Sequence, residues 1–266
     1  MLTEMLGKGG NVCQPARDGQ LRCPLIIRPT SEDVITGHLF QALRILNPRW
    51  WLPDLLNGAL GTARFRTQVY RRLQIELWKN RPVYPRELLP WDEGSTQIDV
   101  TIRWENAPTT VLVEMKYLAE LASRTAADDG RYGYPSDQLI RTIRVGLWEC
   151  GWFRPDGFFH IGPRDLIVLV IGPNRGNPLV ELYRQRDCLL DAIPCREKLR
   201  GLPRRPFVGE ASYQDIREVL RRNRRWFTRA ERQLVDDLVD YLSFKSHQSP
   251  ATSAAPQVRY FDFESP

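Results

Sequence analysis

Asp99, Glu114 and Lys116 stand in two short apolar segments, Gln97-Ile98-Asp99-Val100-Thr101-Ile102 and Val111-Leu112-Val113-Glu114-Met115-Lys116-Tyr117. Taking a charge out of water is costly unless something compensates it. A divalent cation compensates two carboxylates, and a hard, oxygen-loving ion such as Mg²⁺ suits them. A lysine beside them adds a positive charge that can hold a water or an anion. The chemistry these residue types support together is metal-assisted hydrolysis.

That chemistry requires the side chains to converge, which sets conditions on the elements that carry them. Strand side chains alternate between faces, so Glu114 and Lys116 are expected on one face of their strand. Asp99 is expected on the face opposite Ile98, Val100 and Ile102. Glu105-Asn106-Ala107-Pro108 reads as a tight connection, which makes the two strands an antiparallel hairpin. A turn centred on Asn106-Ala107 pairs Val100 with Val113 and puts Asp99 across from Glu114. A slip of one residue would send Asp99 to the wrong side.

Around the hairpin the pattern predicts an alternation of helices and strands. Thr30-Ser31-Glu32-Asp33 reads as a helix start, followed by Ile35, Leu39, Ala42, Leu43 and Leu46 at helical spacing and closed by Pro48. Trp50 to Leu56 reads as a short second helix or turn. From Val69 to Leu77 alternation supports a strand, and a helix starting near Thr62 competes with it. Arg81 to Ser95 reads as a loop. Ala119 to Tyr134 is polar and long enough for a mobile loop beside the site. Pro135-Ser136-Asp137 caps a helix to about Cys150, and Leu166 to Ile171 is a continuous apolar strand of the kind buried on both faces. Beyond Pro178 the chain reads as helical. Ser212 with Asp215 and Thr228 with Glu231 are capping signals.

The D…ExK pattern of Asp99, Glu114 and Lys116, with these flanking strands, resembles the signature of the PD-(D/E)XK nuclease superfamily over roughly residues 30–173. The resemblance implies an α/β class, α+β in its mixed sheet, with a restriction-endonuclease-like αβββαβ core and a helical C-terminal extension. It implies that Asp99 and Glu114 bind Mg²⁺, with Mn²⁺ able to substitute, and that the carbonyl of Met115 completes the site. Lys116 would orient the attacking water or stabilise charge at the phosphate. Glu32, from the first helix, matches an acid that members often add, and a plain acid at a helix N-terminus is an equal reading. Gln138 resembles a glutamine that some branches carry after the ExK strand. Arg141 and Arg144 follow it at helical spacing and are expected to line a groove for nucleic-acid phosphates. Ile98 stands where many members have proline, and Thr142 where an exonuclease branch has tyrosine. The activity implied is that of a Mg²⁺-dependent DNA endonuclease, of the sort found in restriction and antiviral defence. Two other readings stay open: a nucleic-acid-binding module without catalysis, and a subunit dependent on a partner.

The domain plan expected is an irregular leader over 1–29, a nuclease-like core over 30–177, a helical extension packed on it over 178–245, and a loosely held tail over 246–266. Net charge is +6, from 38 Lys+Arg against 32 Asp+Glu. Arginine dominates the cations, which fits a nucleic-acid partner and equally a merely arginine-rich surface. No apolar run is long enough to span a membrane, and the start lacks a secretory pattern, so a cytoplasmic location is expected. The five cysteines form no CxxC pair and read as reduced thiols. Gly172-Pro173-Asn174-Arg175-Gly176 reads as a turn, and Arg221-Arg222-Asn223-Arg224-Arg225-Trp226 as a basic run that touches nucleic acid or ends a solvated helix. A homodimer or a larger complex is a further expectation, since cutting both strands of a duplex takes two sites.

Overall fold

The computed structural model describes residues 31–66, 69–81, 89, 94–105, 108–117, 134–153 and 163–247. The leader, the expected loop from Ala119 to residue 133, the Asn106-Ala107 turn and the tail beyond 247 lie outside them. Ser31 caps α1 (Glu32–Ile45), its hydroxyl accepting from the Asp33 N–H at 3.2 Å. A 3₁₀ turn at Pro48–Trp50 follows, then α2 (Leu52–Leu60), which ends at Gly61 in the left-handed region.

Three antiparallel strands come next: β1 (Gln74–Arg81), β2 (Thr96–Trp104) and β3 (Thr109–Met115). Helix α3 (Gln138–Glu149) leads into β4 (Asp165–Gly172), which runs parallel to β3. Short helices α4 (Pro178–Arg184) and α5 (Arg186–Asp191) precede β5 (Val208–Ser212), parallel to β4. The chain closes with α6 (Tyr213–Asn223) and α7 (Arg229–His247). The result is an α+β structure with one mixed sheet in the order β1-β2-β3-β4-β5.

Helices cover both faces. On one, α1, α2, α6 and α7 bury Leu39, Leu43, Leu56, Leu220 and Leu242 against Val100, Val111, Val113 and Ile167. On the other, Leu139, Ile143 and Leu147 of α3, with Val180 and Tyr183 of α4, cover Leu112, Leu166, Val168 and Val170. β3 and β4 are buried along nearly their whole length because they are covered twice. The expected hairpin register holds from Trp104–Thr109 to Val100–Val113, but the expected Asp99–Glu114 pair is not part of the ladder.

Two expectations change. The first strand starts at Gln74, not Val69, because Arg71 and Arg72 form a turn, with Arg72 at φ 50°. The stretch expected as a helical extension also supplies β5, so it completes the sheet as well as packing on it. β5 fits there through Gly209: a Cβ at this position would lie 2.6 Å from the Ala59 carbonyl oxygen at the end of α2. Gly209→Ala is therefore expected to cost about 2 kcal/mol of unfolding free energy. Denaturant titration checks it, and a loss under about 0.5 kcal/mol would mean that β5 and α2 separate readily.

Candidate active site

The candidate site lies where β2 and β3 part. Past the Val100–Val113 pair the ladder gives way, and the Asp99 carboxylate accepts the Met115 N–H at 2.9 Å. The break has a partner on the far side. β1 and β2 pair on either side of Trp78 and Asp99 but not at them, and Trp78 has φ 52°. A positive φ is rare for a bulky non-glycine residue, and such strain concentrates at functional sites. No residue is inserted, since Leu77 pairs with Val100 and Lys79 with Ile98 in one register. The side chains nonetheless change sides. Val100 and Ile102 join the α1 core while Ile98 joins the α3 core, so the expected common face of these three residues breaks at Asp99.

Both acids are buried, Asp99 at 1% exposure and Glu114 at 0%. Glu114 faces α3, where Gln138 Nε2 donates to Oε2 at 2.5 Å and Thr142 Oγ1 donates to Oε1 at 2.6 Å. Asp137 positions these donors by capping α3, accepting the Ile140 N–H at 2.9 Å. Burial raises the Asp137 pKa, against the hydrogen bond it receives from the Tyr183 hydroxyl. Gln138 thus sits where the sequence reading puts it. Thr142, noted there only as a departure from an exonuclease pattern, is a direct partner of Glu114.

Lys116 differs from expectation. β3 ends at Met115, and the Lys116 ammonium meets Glu32 Oε1 of α1 at 3.3 Å, on the layer opposite α3. Strand alternation no longer applies at that point. The Lys116 N–H bonds the Ile171 carbonyl at 2.7 Å, and its own carbonyl accepts the Tyr213 hydroxyl. Burial, and then the nearby Glu32 charge, push the Tyr213 pKa well up, which keeps the phenol a donor. Tyr213 is the residue the sequence reading missed, 97 positions from its partner. The Ser212–Asp215 capping box that starts its helix was the only available signal.

The two arginines part company. Arg141 is half-buried on α3 and donates to the Gly94 carbonyl at 3.1 Å, in the segment entering β2. Arg144 is 0% exposed, and its guanidinium bonds the Ala192 carbonyl at 2.6 Å and the Pro135 carbonyl at 2.8 Å. It does not line a groove, because the turn after α5 covers that part of α3.

Glu32 is turned to Lys116, and among the described residues no group of three His, Cys, Asp or Glu side chains is placed to hold a metal ion. The donors that remain are two buried carboxylates and the main chain at Met115, whose N–H is tied to Asp99. This all-oxygen set suits Mg²⁺ or Mn²⁺ and not a soft metal. Elsewhere, the glycine-rich turn after β4 spends its Gly176 and Asn177 N–H groups on Glu210, each at 3.0 Å, so they do not form a phosphate cradle. Cys150, Cys188 and Cys195 are free thiols. Among the described residues no helix is long and apolar enough to cross a membrane. No family model matches the chain, and neither does any of the curated proteins or solved structures compared with it.

Proposed function

We propose that the protein is a metal-dependent nuclease of the PD-(D/E)XK type, hydrolysing phosphodiester bonds of DNA as an endonuclease. One observation carries the reading: two fully buried carboxylates stand on neighbouring strands where the pair parts, with a half-buried lysine–glutamate pair at the same strand end. The order α1-β1-β2-β3-α3-β4, with α2 inserted after α1, supports it by analogy with the superfamily's core.

Asp99, Glu114 and the Met115 carbonyl would hold Mg²⁺ or Mn²⁺. Such an ion, when bound, lowers the pKa of its water and polarises a phosphate oxygen. The chain's own residues do the rest. Gln138 and Thr142 fix the orientation of Glu114. Glu32 and Tyr213 fix Lys116 at its two ends, by the ammonium and by the carbonyl. The ammonium then positions a water or neutralises a phosphate oxygen. Arg141, the outer of the two arginines, contributes charge toward backbone phosphates.

The test is incubation of the pure chain with labelled single-stranded and duplex DNA, with Mg²⁺, with Mn²⁺ and with chelator. Metal-dependent cleavage is the expected result. Binding of DNA without cleavage under any metal would replace this reading with that of a non-catalytic module.

A further inference from the structure

Two turns far apart in sequence carry aromatic and cationic residues to one place on the surface. The 3₁₀ turn after α1 presents Arg49 and Trp50, and the 3₁₀ turn between α6 and α7 presents Arg225 and Trp226. The two indoles stack, with centroids 5.5 Å apart and planes inclined by 19°. The Arg49 guanidinium lies 5.0 Å from the Trp50 ring, and that of Arg225 lies 4.7 Å from the Trp226 ring. Trp226 remains 51% exposed.

Holding the turns together does not require this stack. The Asn47 N–H already donates to Glu231 at 2.8 Å, and Asn223 Nδ2 donates to Asp54 at 2.8 Å. Nor are the cations used up. Arg224 is paired with Asp236 and Arg222 lies 4.0 Å from Asp54, but Arg49, Arg221 and Arg225 have no carboxylate within ion-pair distance among the described residues. An exposed large aromatic flanked by cations without acid partners is complementary to a flat, negatively charged partner.

We propose that this assembly is a stacking platform for unpaired nucleic acid. Bases offer flat faces to indole and guanidinium planes, and the phosphates between them meet Arg49 and Arg225. An acidic peptide would meet the same cations but has few flat faces to stack. A duplex hides its base faces within its own stack. The platform sits beyond the C-terminal end of α1, whose first residue, Glu32, pairs with Lys116 at the candidate active site. A helix of this length spans about 20 Å at about 1.5 Å per residue. A strand held on the platform reaches the site in at most roughly six nucleotides, the number at the stacked-duplex rise of about 3.4 Å, and in fewer when it is extended. That the strand is also the substrate rests on the nuclease reading; that it binds does not.

The experiment is fluorescence anisotropy of labelled oligothymidine with the full chain in chelator, so that binding is read without cleavage. Trp226→Ala is expected to weaken binding roughly five- to hundredfold, the scale of one lost stacking contact. Arg49→Gln combined with Arg225→Gln keeps both indoles and is expected to weaken binding and flatten its salt dependence by nearly two phosphate contacts. Circular dichroism verifies that both variants are folded. Unchanged affinity in both folded variants overturns the platform, and so does competition by polyglutamate as effective as that by unlabelled oligothymidine. Cleavage by the wild type is read separately with metal present. Cleavage with unchanged binding in the variants removes the platform alone. Lost binding in the variants, with no cleavage by the wild type, upholds the platform and removes the nuclease reading.

Discussion

Glu114→Gln and Asp99→Asn are each expected to abolish DNA hydrolysis, by roughly a thousandfold or more, in a protein that stays folded. The rate change follows from the role of the two acids. Several kcal/mol of charge stabilisation at the phosphate are at stake, and about 1.4 kcal/mol is a factor of ten. Stability should move the other way. Burying a charged carboxylate costs free energy, so replacing one by its amide leaves the unfolding free energy unchanged or raises it by about 1 kcal/mol. Glutamine at 114 keeps one acceptor oxygen for the Gln138 amide, and its own NH2 donates to the Thr142 hydroxyl, so both contacts persist with the Thr142 bond reversed. Mg²⁺ should then raise the melting temperature of the wild type and not of either variant, because only a native-state ligand stabilises. Cleavage assays paired with thermal melts at several Mg²⁺ concentrations give both readings. A folded Glu114→Gln protein cutting within tenfold of wild type would remove these acids from the mechanism. Strong destabilisation of the metal-free variants would make them structural.

What the sequence made legible was local. The hairpin register followed from two apolar strands and a short connection, because a tight turn leaves little freedom in pairing. The starts of α1, α3 and α6 followed from Ser31, Asp137 and Ser212, whose side chains accept backbone N–H groups a few residues on. Gln138 was singled out by the resemblance, and its place next to the α3 cap brings it to Glu114. What was not legible depended on distant partners. β5 is five residues long, contains Gly209 and Glu210, and acquires strand character only by lying parallel to β4. The change of sides between Ile98 and Val100 depends on the backbone of Trp78 on the neighbouring strand. The hold of Tyr213 on Lys116 depends on α6 returning to the end of β3. The Trp50–Trp226 stack joins two segments that read separately, one as a short helix or turn and the other as a basic run at a helix end.

Arg144 gives the second large effect and marks the same limit. Helical spacing set it on one row with Gln138 and Arg141, and an arginine on a helix is exposed far more often than not. Here the turn after α5 covers it, and the guanidinium becomes a hub joining α3 to the Ala192 and Pro135 carbonyls beside the buried Asp137. Arg144→Met keeps much of the side-chain length and removes every one of those donors. Two carbonyls and a buried acid then lose their compensation, and removing one member of a buried polar network costs about 3–5 kcal/mol. Arg144→Met is therefore expected to lower the unfolding free energy by about that amount in urea titration. Its affinity for DNA, measured well below the melting temperature, should match that of the wild type. Arg141→Gln should do the reverse, with stability within about 0.5 kcal/mol of wild type and DNA bound more weakly. A stable Arg144→Met protein with weakened DNA binding would return Arg144 to the groove, and would mean that the α3–α5 contact opens when nucleic acid is bound.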